Sequence, residues 1–290
     1  MPLDSAKLRA TIEAITDLPT LPMIVSRIAQ KITNPTTNAA DIGKLIEQDQ
    51  SLTTKVLRLV NSAYYGFPKQ IKSIQHAVVI LGFSKVKTII VTASVFSAFK
   101  NRKAVSLDLE RFWQHSLGVA IASKAVAEQI GIAHAGEDAF IGGLLHDIGK
   151  VVLDQYQPGI YSPIVKYARD KGILLVEAER EVMGLTHAAV GEWMMEKWRL
   201  PPLLVQMVSS HHHPNRHMEH RDMLTAIHIG DILARSIGIG NGGDERMPEI
   251  DAVAASNYTV NAKFFESALT KIISEVGKAQ EFFSLISTNS

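Results

Sequence analysis

Apolar residues recur at spacings of three and four along most of the chain, and strict alternation of apolar and polar residues is rare. Spacings of three and four place side chains on one face of an α-helix, whereas alternation is typical of a half-buried strand. Ile42 and Ile46 lie on one stripe and Leu52 and Val56 on a second, which predicts two short helices that meet near Asp49. The pattern therefore predicts an all-α protein.

Residues that cap or end helices divide this pattern into elements. Ser73 is predicted to begin a helix that Gly82 ends, and Ser84 to cap a long apolar helix that ends near Phe99. Asn261 is predicted to cap a terminal helix. In the second half of the chain the pattern predicts helices near residues 107–130, 138–155, 160–171, 187–198, 201–211 and 222–237.

A change of composition at residues 101–104 divides the chain, because a short polar and basic segment follows the long apolar helix there. We predict an N-terminal helical subdomain at 1–104, a second helical subdomain at 105–240 and a C-terminal part at 241–290. The glycine-rich segment, residues 238–245, is predicted to be a flexible linker before the terminal helix. A chain of 290 residues is long enough to bury a sizeable core.

Composition excludes several classes of protein. The absence of cysteine excludes disulfides, zinc–thiolate sites and a cysteine nucleophile. The chain has 30 Lys and Arg against 29 Asp and Glu, and this near-neutral balance argues against a general nucleic-acid coat. No segment reaches the roughly 18–20 apolar residues of a membrane span, and the N-terminus does not resemble a secretory signal, so we expect a cytoplasmic protein without a membrane partner.

The strongest local signal is the sequence GGLLHDIGKVV at residues 142–152, where His146 and Asp147 are adjacent on a predicted helix. Each of its three glycines lowers helix propensity by about 1 kcal/mol relative to alanine, so close packing or a site is expected to require them. The dipeptide by itself is equally compatible with a polar pair at an exposed helix end.

Two further polar residues are directed inward by the helical periodicity. His115 lies on the apolar face of its helix, where a histidine is commonly held by hydrogen bonds alone, and Asp231 lies on an apolar stripe. A buried carboxylate is rarely found without a partner or a metal. For Asp231 the alternative partners are His228 at i−3 and Arg235 at i+4.

Seven inward-facing residues together form a candidate metal site. They are His115, His146, Asp147, His187, His211, His212 and Asp231. Apart from the adjacent pairs they are 19 to 40 residues apart, which is long enough to bring them from different helices. Nitrogen and oxygen ligands suit divalent manganese, iron, zinc or magnesium, and a shared carboxylate suits two ions about 3.5–4 Å apart. The sequence thus predicts a site for one or two ions, although His211 and His212 are also compatible with a solvated surface.

Five of the 11 histidines belong to this predicted site, and the other six do not. The six are His76, His134, His213, His217, His220 and His228. Lys150 lies one helical turn after His146 and is predicted to supply a cation to a substrate oxygen, with a solvated lysine as the alternative.

The chain resembles the HDOD family, the output-domain relatives of HD-type metal-dependent phosphohydrolases. The likeness covers about residues 18–215 and includes LPTLPMIVSRIAQKI, ADIGKLIEQDQSLTTKVLRLVNSAYYGF, SIQHAVVILGFSKVKTIIVTASVF, FWQHS and GLLHDIGK. The specific part of it is carried by Asp49, Leu52, Leu57, Asn61 with Ser62, and the Ile80–Leu81–Gly82 run. The resemblance implies a bacterial, all-helical, HD-domain-like bundle with an N-terminal helical subdomain. Many members of the family act as signalling outputs after their HD ligands have been lost.

The second half of the chain is similar to the related HD-GYP phosphodiesterases and keeps their order of ligands. The matching residues are His115, His146 with Asp147, His187 with Gly191, His211 with His212, and Asp231. The GYP stretch is absent, since NRHMEHRDM stands in its place, and this argues against assigning cyclic di-GMP as the substrate. The resemblance implies that Asp147 bridges two ions, with His115, His146 and Asp231 on one and His187, His211 and His212 on the other.

We therefore predict a signal-transduction protein with a retained HD-type metal site and metal-dependent phosphohydrolase or phosphodiesterase activity. Asp147 and Lys150 are the predicted catalytic residues, and the expected partners are signalling proteins and a phosphate-containing small molecule or nucleotide. The alternative is a non-enzymatic adaptor in which any metal only stabilises the fold. DNA binding ranks third, because a candidate recognition helix offers only Lys55 and Arg58, and phosphate neutralisation needs several cations.

Overall fold

All regular structure in the described part of the chain is helical. The computed structural model describes residues 9–12, 14, 18, 21, 23–32, 36–99 and 103–287. It is 72% helical and has no strand in these ranges, which confirms the predicted all-α class. Within them, no helix combines the length and the apolar character that are needed to cross a membrane.

The smaller of two compact units comprises the described residues within 19–101, 198–201 and 273–290. Its first five helices are α1 (Met23–Ile32), α2 (Ala39–Ile46), α3 (Gln50–Val60), α4 (Ile74–Leu81) and α5 (Phe83–Ala98). The Asp49 carboxylate accepts a hydrogen bond from the Leu52 amide and caps α3, so the prediction of two short helices that meet there is confirmed.

The junction between α4 and α5 differs in one detail from the prediction. Ser73 caps α4 as expected, by accepting a hydrogen bond from the amide of His76. The prediction that Ser84 caps α5 is wrong, because α5 already begins at Phe83. Gly82 ends one helix and precedes the next with φ of 82°, a conformation that glycine adopts without strain. One glycine therefore replaces a loop.

The larger unit comprises the described residues within 1–18, 102–197 and 202–272. Its helices are α6 (Leu109–Gln129), α7 (Gly136–Leu145), α8 (Ile148–Tyr156), α9 (Pro158–Lys171), α10 (Leu175–Met183), α11 (His187–Lys197), α12 (Pro202–Ser210), α13 (Arg221–Ser236) and α14 (Ala252–Asn257). The terminal helix α15 (Ala262–Ser287) is capped by Asn261, as predicted, and contributes to both units. The sequence-based boundaries at 104 and 240 stay a prediction.

Two features of the larger unit were not foreseen. The predicted helix near 138–155 is divided into α7 and α8, and the division falls at His146 and Asp147. The short helices α10 and α14 were missed, because nine and six residues carry too few apolar positions to establish a helical period.

Glycine in α8 permits close packing against α11, as the glycine content of this segment led us to expect. A Cβ atom added to Gly149 would collide with the carbonyl oxygen of His187 and lie 2.8 Å from the amide nitrogen of Gly191. Both are backbone atoms and cannot rotate away. The α8–α11 packing that brings His187 toward the end of α7 therefore requires glycine at this position.

We expect Gly149→Ala to lower the free energy of unfolding by about 1–3 kcal/mol or more, because the added methyl group overpacks two helix backbones. Gly159 in α9 is the matched control, since an added Cβ there meets nothing within 4 Å. Gly159→Ala should be neutral or stabilise by up to about 1 kcal/mol. Urea denaturation of both variants checks this, and equal effects would contradict it.

Candidate metal centre

The structure brings all seven predicted site residues together in the larger unit, and we call them the His/Asp cluster. They form two groups, and in each group one ligand atom per residue lies within 4.8 Å of the others. The groups are His115, His146 and Asp231, and Asp147, His187, His211 and His212. All are buried except His212, which is partly exposed, so the alternatives of an exposed His146–Asp147 pair and a fully solvated His211–His212 pair are wrong.

Asp147 lies between the two groups because the chain leaves the helical path at this residue. Its Oδ1 is 3.0 Å from Nε2 of His187 and 3.7 Å from Nε2 of His211. Its Oδ2 is 3.2 Å from Nε2 of His146 and 3.9 Å from Nε2 of His115. The break between α7 and α8 thus allows one carboxylate to face imidazoles on both sides.

Hydrogen bonds at Nδ1 fix the tautomers of three of these histidines. The Nδ1 of His146 is 2.7 Å from the carbonyl oxygen of Gly143, and the Nδ1 of His211 is 2.8 Å from that of Val208. Because a carbonyl oxygen can only accept, each Nδ1 carries the proton. His187 donates from Nδ1 to the Glu179 carboxylate at 2.7 Å. In the neutral rings, Nε2 is therefore an unprotonated acceptor that faces the cluster.

These convergent acceptors fit a divalent cation. Nε2 of His187 is 3.4 Å from Nε2 of His211, so in the neutral rings two lone pairs face each other unless a positive charge lies between them. Nε2 of His212 is also close, at 3.0 Å from Nε2 of His187. In addition, Nε2 of His146 and Oδ1 of Asp147 are buried without a hydrogen-bond partner. Nε2 of His115 lies 3.1 Å from Oδ1 of Asp231, but it is not aligned for a hydrogen bond.

The electrostatic environment keeps the two aspartates ionised. Burial raises the pKa of Asp147, but the interactions of this carboxylate with His146 and Lys150 outweigh burial and hold that pKa well below its ordinary value. Burial acts in the same direction on Asp231, and Arg235 and His115 hold its pKa well below the ordinary value. Ionised carboxylates are the form that binds metal.

The histidines respond to burial in the opposite direction. Burial, followed by repulsion from neighbouring histidines, lowers the pKa of His211 and His212 well below the ordinary value. Burial likewise lowers the pKa of His115. His187 differs, because burial lowers its pKa while the carboxylates of Glu179 and Asp147 raise it overall. Most of the imidazoles are therefore neutral, as metal ligands must be.

Glu179 supports His187 and was missed by sequence reasoning. Its Oε2 accepts hydrogen bonds from the backbone amide of His187 at 2.8 Å and from Nδ1 of the same residue. Its Oε1 accepts a hydrogen bond from Tyr161 at 2.7 Å, and burial together with Glu179 raises the pKa of Tyr161 well above its ordinary value. The sequence did contain a signal for Glu179, because this carboxylate lies on the same apolar stripe as Leu175 and Met183. The signal could not be used, since helix α10 itself was not predicted.

Asp231 has one of the two side-chain partners that the sequence offered, and it also lies in one of the two ligand groups. Its Oδ1 accepts a hydrogen bond from Nε of Arg235 at 2.9 Å, so the predicted i+4 partner is present. His228 is not its partner, because Nδ1 of His228 donates to the carbonyl oxygen of His211 at 3.2 Å, and Nε2 accepts from the amide of Asp251 at 3.0 Å. His228 thus fixes the backbone of one cluster residue and belongs to neither ligand group.

Lys150 is buried, so the alternative of a solvated lysine is wrong. Its side chain is 1% exposed, and Nζ donates to Oδ2 of Asp147 at 2.7 Å and to the carbonyl oxygen of Gly242 at 2.8 Å. The lysine therefore connects the central aspartate of the cluster to the glycine-rich segment.

The glycine-rich segment makes contacts that a flexible linker would not make. The amide of Asn241 donates to the carbonyl oxygen of Arg111 at 2.9 Å. Asp244 accepts hydrogen bonds from Arg235 at 2.9 Å and from the amide of Leu175 at 3.2 Å. An added Cβ on Gly242 would be 3.0 Å from Nε2 of His115. This segment therefore covers the His115 side of the cluster.

The histidines that the sequence placed outside the site do lie outside both ligand groups. His76, His134 and His213 are exposed, whereas His217 and His220 are only partly exposed.

Comparison with known proteins assigns the family. The family model of the HDOD domain matches residues 18–214, and the chain therefore belongs to the HDOD family. An uncharacterized protein of Treponema pallidum (strain Nichols) is 27% identical over 235 residues, which cover 80% of this chain and 45% of that protein. The chain thus spans about half the length of this curated relative.

Solved structures share the fold. An HDOD domain protein of unknown function from Geobacter sulfurreducens is 25% identical with a TM-score of 0.75, over 98% of both chains. A provisionally named signal transduction protein from Marinobacter aquaeolei VT8 is 19% identical with a TM-score of 0.80, over 98% of this chain and 65% of the other. A provisionally named phosphohydrolase from Shewanella amazonensis SB2B is 22% identical with a TM-score of 0.69, over 96% and 97%. The last two likenesses show the fold alone.

We expect Glu179→Gln to weaken binding of Mn²⁺ or Zn²⁺ by about 10–100-fold. The Glu179 carboxylate accepts a hydrogen bond from Nδ1 of His187 and so keeps Nε2 free for a metal, and a neutral amide fixes this tautomer less strongly. Calorimetric titration of the metal-free protein measures this affinity. Glu181→Gln is the matched control, since Glu181 lies on the same helix but is exposed. Equal metal affinity in the Glu179→Gln variant and the wild type would contradict the supporting role.

Proposed function

We propose that this HDOD protein is a metal-dependent phosphohydrolase that acts on a phosphoester in signal transduction. The observation that carries the proposal is the position of Asp147 between two groups of imidazoles whose Nε2 atoms converge on it. The names of several structural neighbours point to the same class of function.

The cluster has enough donors for two divalent ions, with iron, manganese, zinc and magnesium as the candidates. Asp147 would be shared, His115, His146 and Asp231 would hold one ion, and His187, His211 and His212 would hold the other. Such ions supply Lewis-acid chemistry, since they polarise a phosphoryl oxygen and neutralise the charge that develops on it.

The formal charge of the site supports a phosphate substrate. Four buried or nearly buried carboxylates, those of Asp147, Glu179, Asp231 and Asp244, lie in and around the cluster. They are opposed by the two cations Lys150 and Arg235, which leaves a formal charge of −2 with neutral imidazoles. One divalent ion balances this charge, and a second makes the site positive, which favours an anionic substrate such as a phosphoester.

In this proposal Lys150 orients the substrate. An ammonium group has three N–H donors, and two of them are used by Asp147 and Gly242. We assign the third to a substrate oxygen, so that the lysine connects the substrate to the central aspartate. Asp147 and Lys150 are the catalytic residues of this proposal.

A non-enzymatic adaptor that binds signalling proteins is the second candidate. The observation that favours it is burial, since the side chains of Asp147 and Lys150 are each only 1% exposed. In this case the metal stabilises the larger unit and no phosphoester reaches the cluster.

We expect the purified protein to carry about one or two equivalents of metal and to hydrolyse bis(p-nitrophenyl) phosphate or p-nitrophenyl phosphate. Asp147→Asn should lose most of the metal and the activity, because the shared carboxylate is gone. His134→Gln is the control, since His134 is exposed and belongs to neither ligand group. If the protein contains no metal after growth with supplemented metals, the proposal is contradicted. If it binds metal but hydrolyses no phosphomonoester, phosphodiester or cyclic phosphoester, the adaptor is favoured.

Lys150→Gln is expected to separate metal binding from catalysis. Removing a positive charge 2.7 Å from the Asp147 carboxylate should strengthen metal affinity, whereas kcat should fall by about tenfold or more through loss of charge at the substrate oxygen. Metal titration and steady-state kinetics measure the two effects. A variant with unchanged kcat would remove Lys150 from the mechanism.

A further inference from the structure

A polar cavity of about 190 Å³ lies in the larger unit, next to the glycine-rich segment. The charged and imidazole side chains that line it are those of Arg111, His115, Arg235, Asp244, Glu245 and Arg246. The volume is below the roughly 300–1,000 Å³ of sites that enclose drug-sized ligands. A cavity of this size and lining suits one small polar group better than a whole nucleotide.

The guanidinium groups of the cavity differ in how they are used. Arg235 is engaged by the carboxylates of Asp231 and Asp244, each at 2.9 Å. Arg111 and Arg246 are exposed and form no ion pair with any residue that the structure describes. Glu245 is the opposing charge of the lining and also lacks an ion pair among the described residues. The cavity therefore offers two uncommitted guanidinium groups against one carboxylate.

The backbone holds both uncommitted arginines in place. The carbonyl oxygen of Arg111 accepts a hydrogen bond from the amide of Asn241 at 2.9 Å. The carbonyl oxygen of Arg246 accepts one from Nη1 of Arg235 at 3.1 Å, and its amide donates to Asp244 at 3.0 Å. Both arginines thus extend from backbone that is fixed to the glycine-rich segment.

His115 lines the cavity and is also a member of the His/Asp cluster. Gly242 also lines the cavity and lies so close to the His115 ring that an added Cβ would be 3.0 Å from Nε2. Nη2 of Arg235 would be nearly as close to that Cβ, at 3.1 Å, and both His115 and Arg235 line the cavity directly. An anion held by the arginines would therefore lie beside one ligand group of the cluster.

We propose that this cavity is a phosphoryl-binding subsite in which Arg111 and Arg246 hold a phosphoryl group beside His115. Guanidinium groups bind phosphate oxygens in bidentate geometry, and this preference selects phosphate over a single-point anion. The proposal rests on the proposed phosphohydrolase function, for which it supplies a recognition site. Arg111 and Arg246 are binding residues, and Glu245 weakens the site by repulsion.

The test measures the affinity of the full chain for inorganic phosphate by calorimetry, with the metal-free and the metal-loaded protein in parallel. Arg111→Gln and Arg246→Gln should each weaken phosphate binding by about tenfold, as expected for loss of one charge-assisted hydrogen-bonding group. Glu245→Gln should strengthen it by about twofold to fivefold, because it removes a like charge. Arg169→Gln is the control, since Arg169 is exposed on α9 and does not line the cavity.

The outcomes distinguish the subsite from the enzyme. If the wild type binds metal and hydrolyses phosphoesters while both arginine variants keep its phosphate affinity and KM, the subsite is overturned and the phosphohydrolase stands. If the arginine variants lose phosphate affinity in a protein that binds no metal, the subsite stands and the phosphohydrolase fails. Weaker binding in Arg169→Gln to the same extent would also overturn the subsite, because net charge alone would then explain the effect.

Discussion

The buried Asp147 carboxylate is the interaction on which the rest of the larger unit depends. An ionised carboxylate without solvent is stable only if positive charge and hydrogen-bond donors surround it. The chain meets this requirement by ending α7 one residue before His146, by directing Lys150 back from the first turn of α8, and by packing α11 so that His187 lies 3.0 Å away. The end of α7, the position of Lys150 and the packing of α11 together provide the environment of this one buried charge.

A second layer of contacts keeps the imidazoles in one orientation. Carbonyl oxygens fix His146 and His211, and the Glu179 carboxylate fixes His187 while it is itself held by Tyr161. A rotated ring would lose its Nδ1 partner and bury an unpaired N–H group, which costs about 1–3 kcal/mol. The convergence of nitrogen atoms is therefore a property of the folded chain, established by contacts outside the ligand set.

The sequence allowed the helical class and the seven cluster residues to be predicted. Helical periodicity directs His115 and Asp231 to the core, and the resemblance to the HD-GYP order of ligands supported the other five. It did not reveal the helix break at Asp147, since neither proline nor glycine stands at the junction between α7 and α8. Glu179 was missed together with its short helix. The glycine-rich segment was misread because local composition favours flexibility, whereas the contacts of Asn241 and Asp244 join residues that are far apart in sequence.

Asp244 joins three parts of the larger unit through one carboxylate. It pairs with the arginine that holds Asp231, accepts the amide at the start of the helix that carries Glu179, and lies two residues from the carbonyl oxygen that holds Lys150. Any molecule that displaces the segment around Asp244 must therefore disturb both ligand groups at once. If such a molecule changes the affinity of the cluster for an ion by some factor, thermodynamic reciprocity requires that the ion change the affinity for the molecule by the same factor. The segment around Asp244 thus couples ion binding to the binding of that molecule.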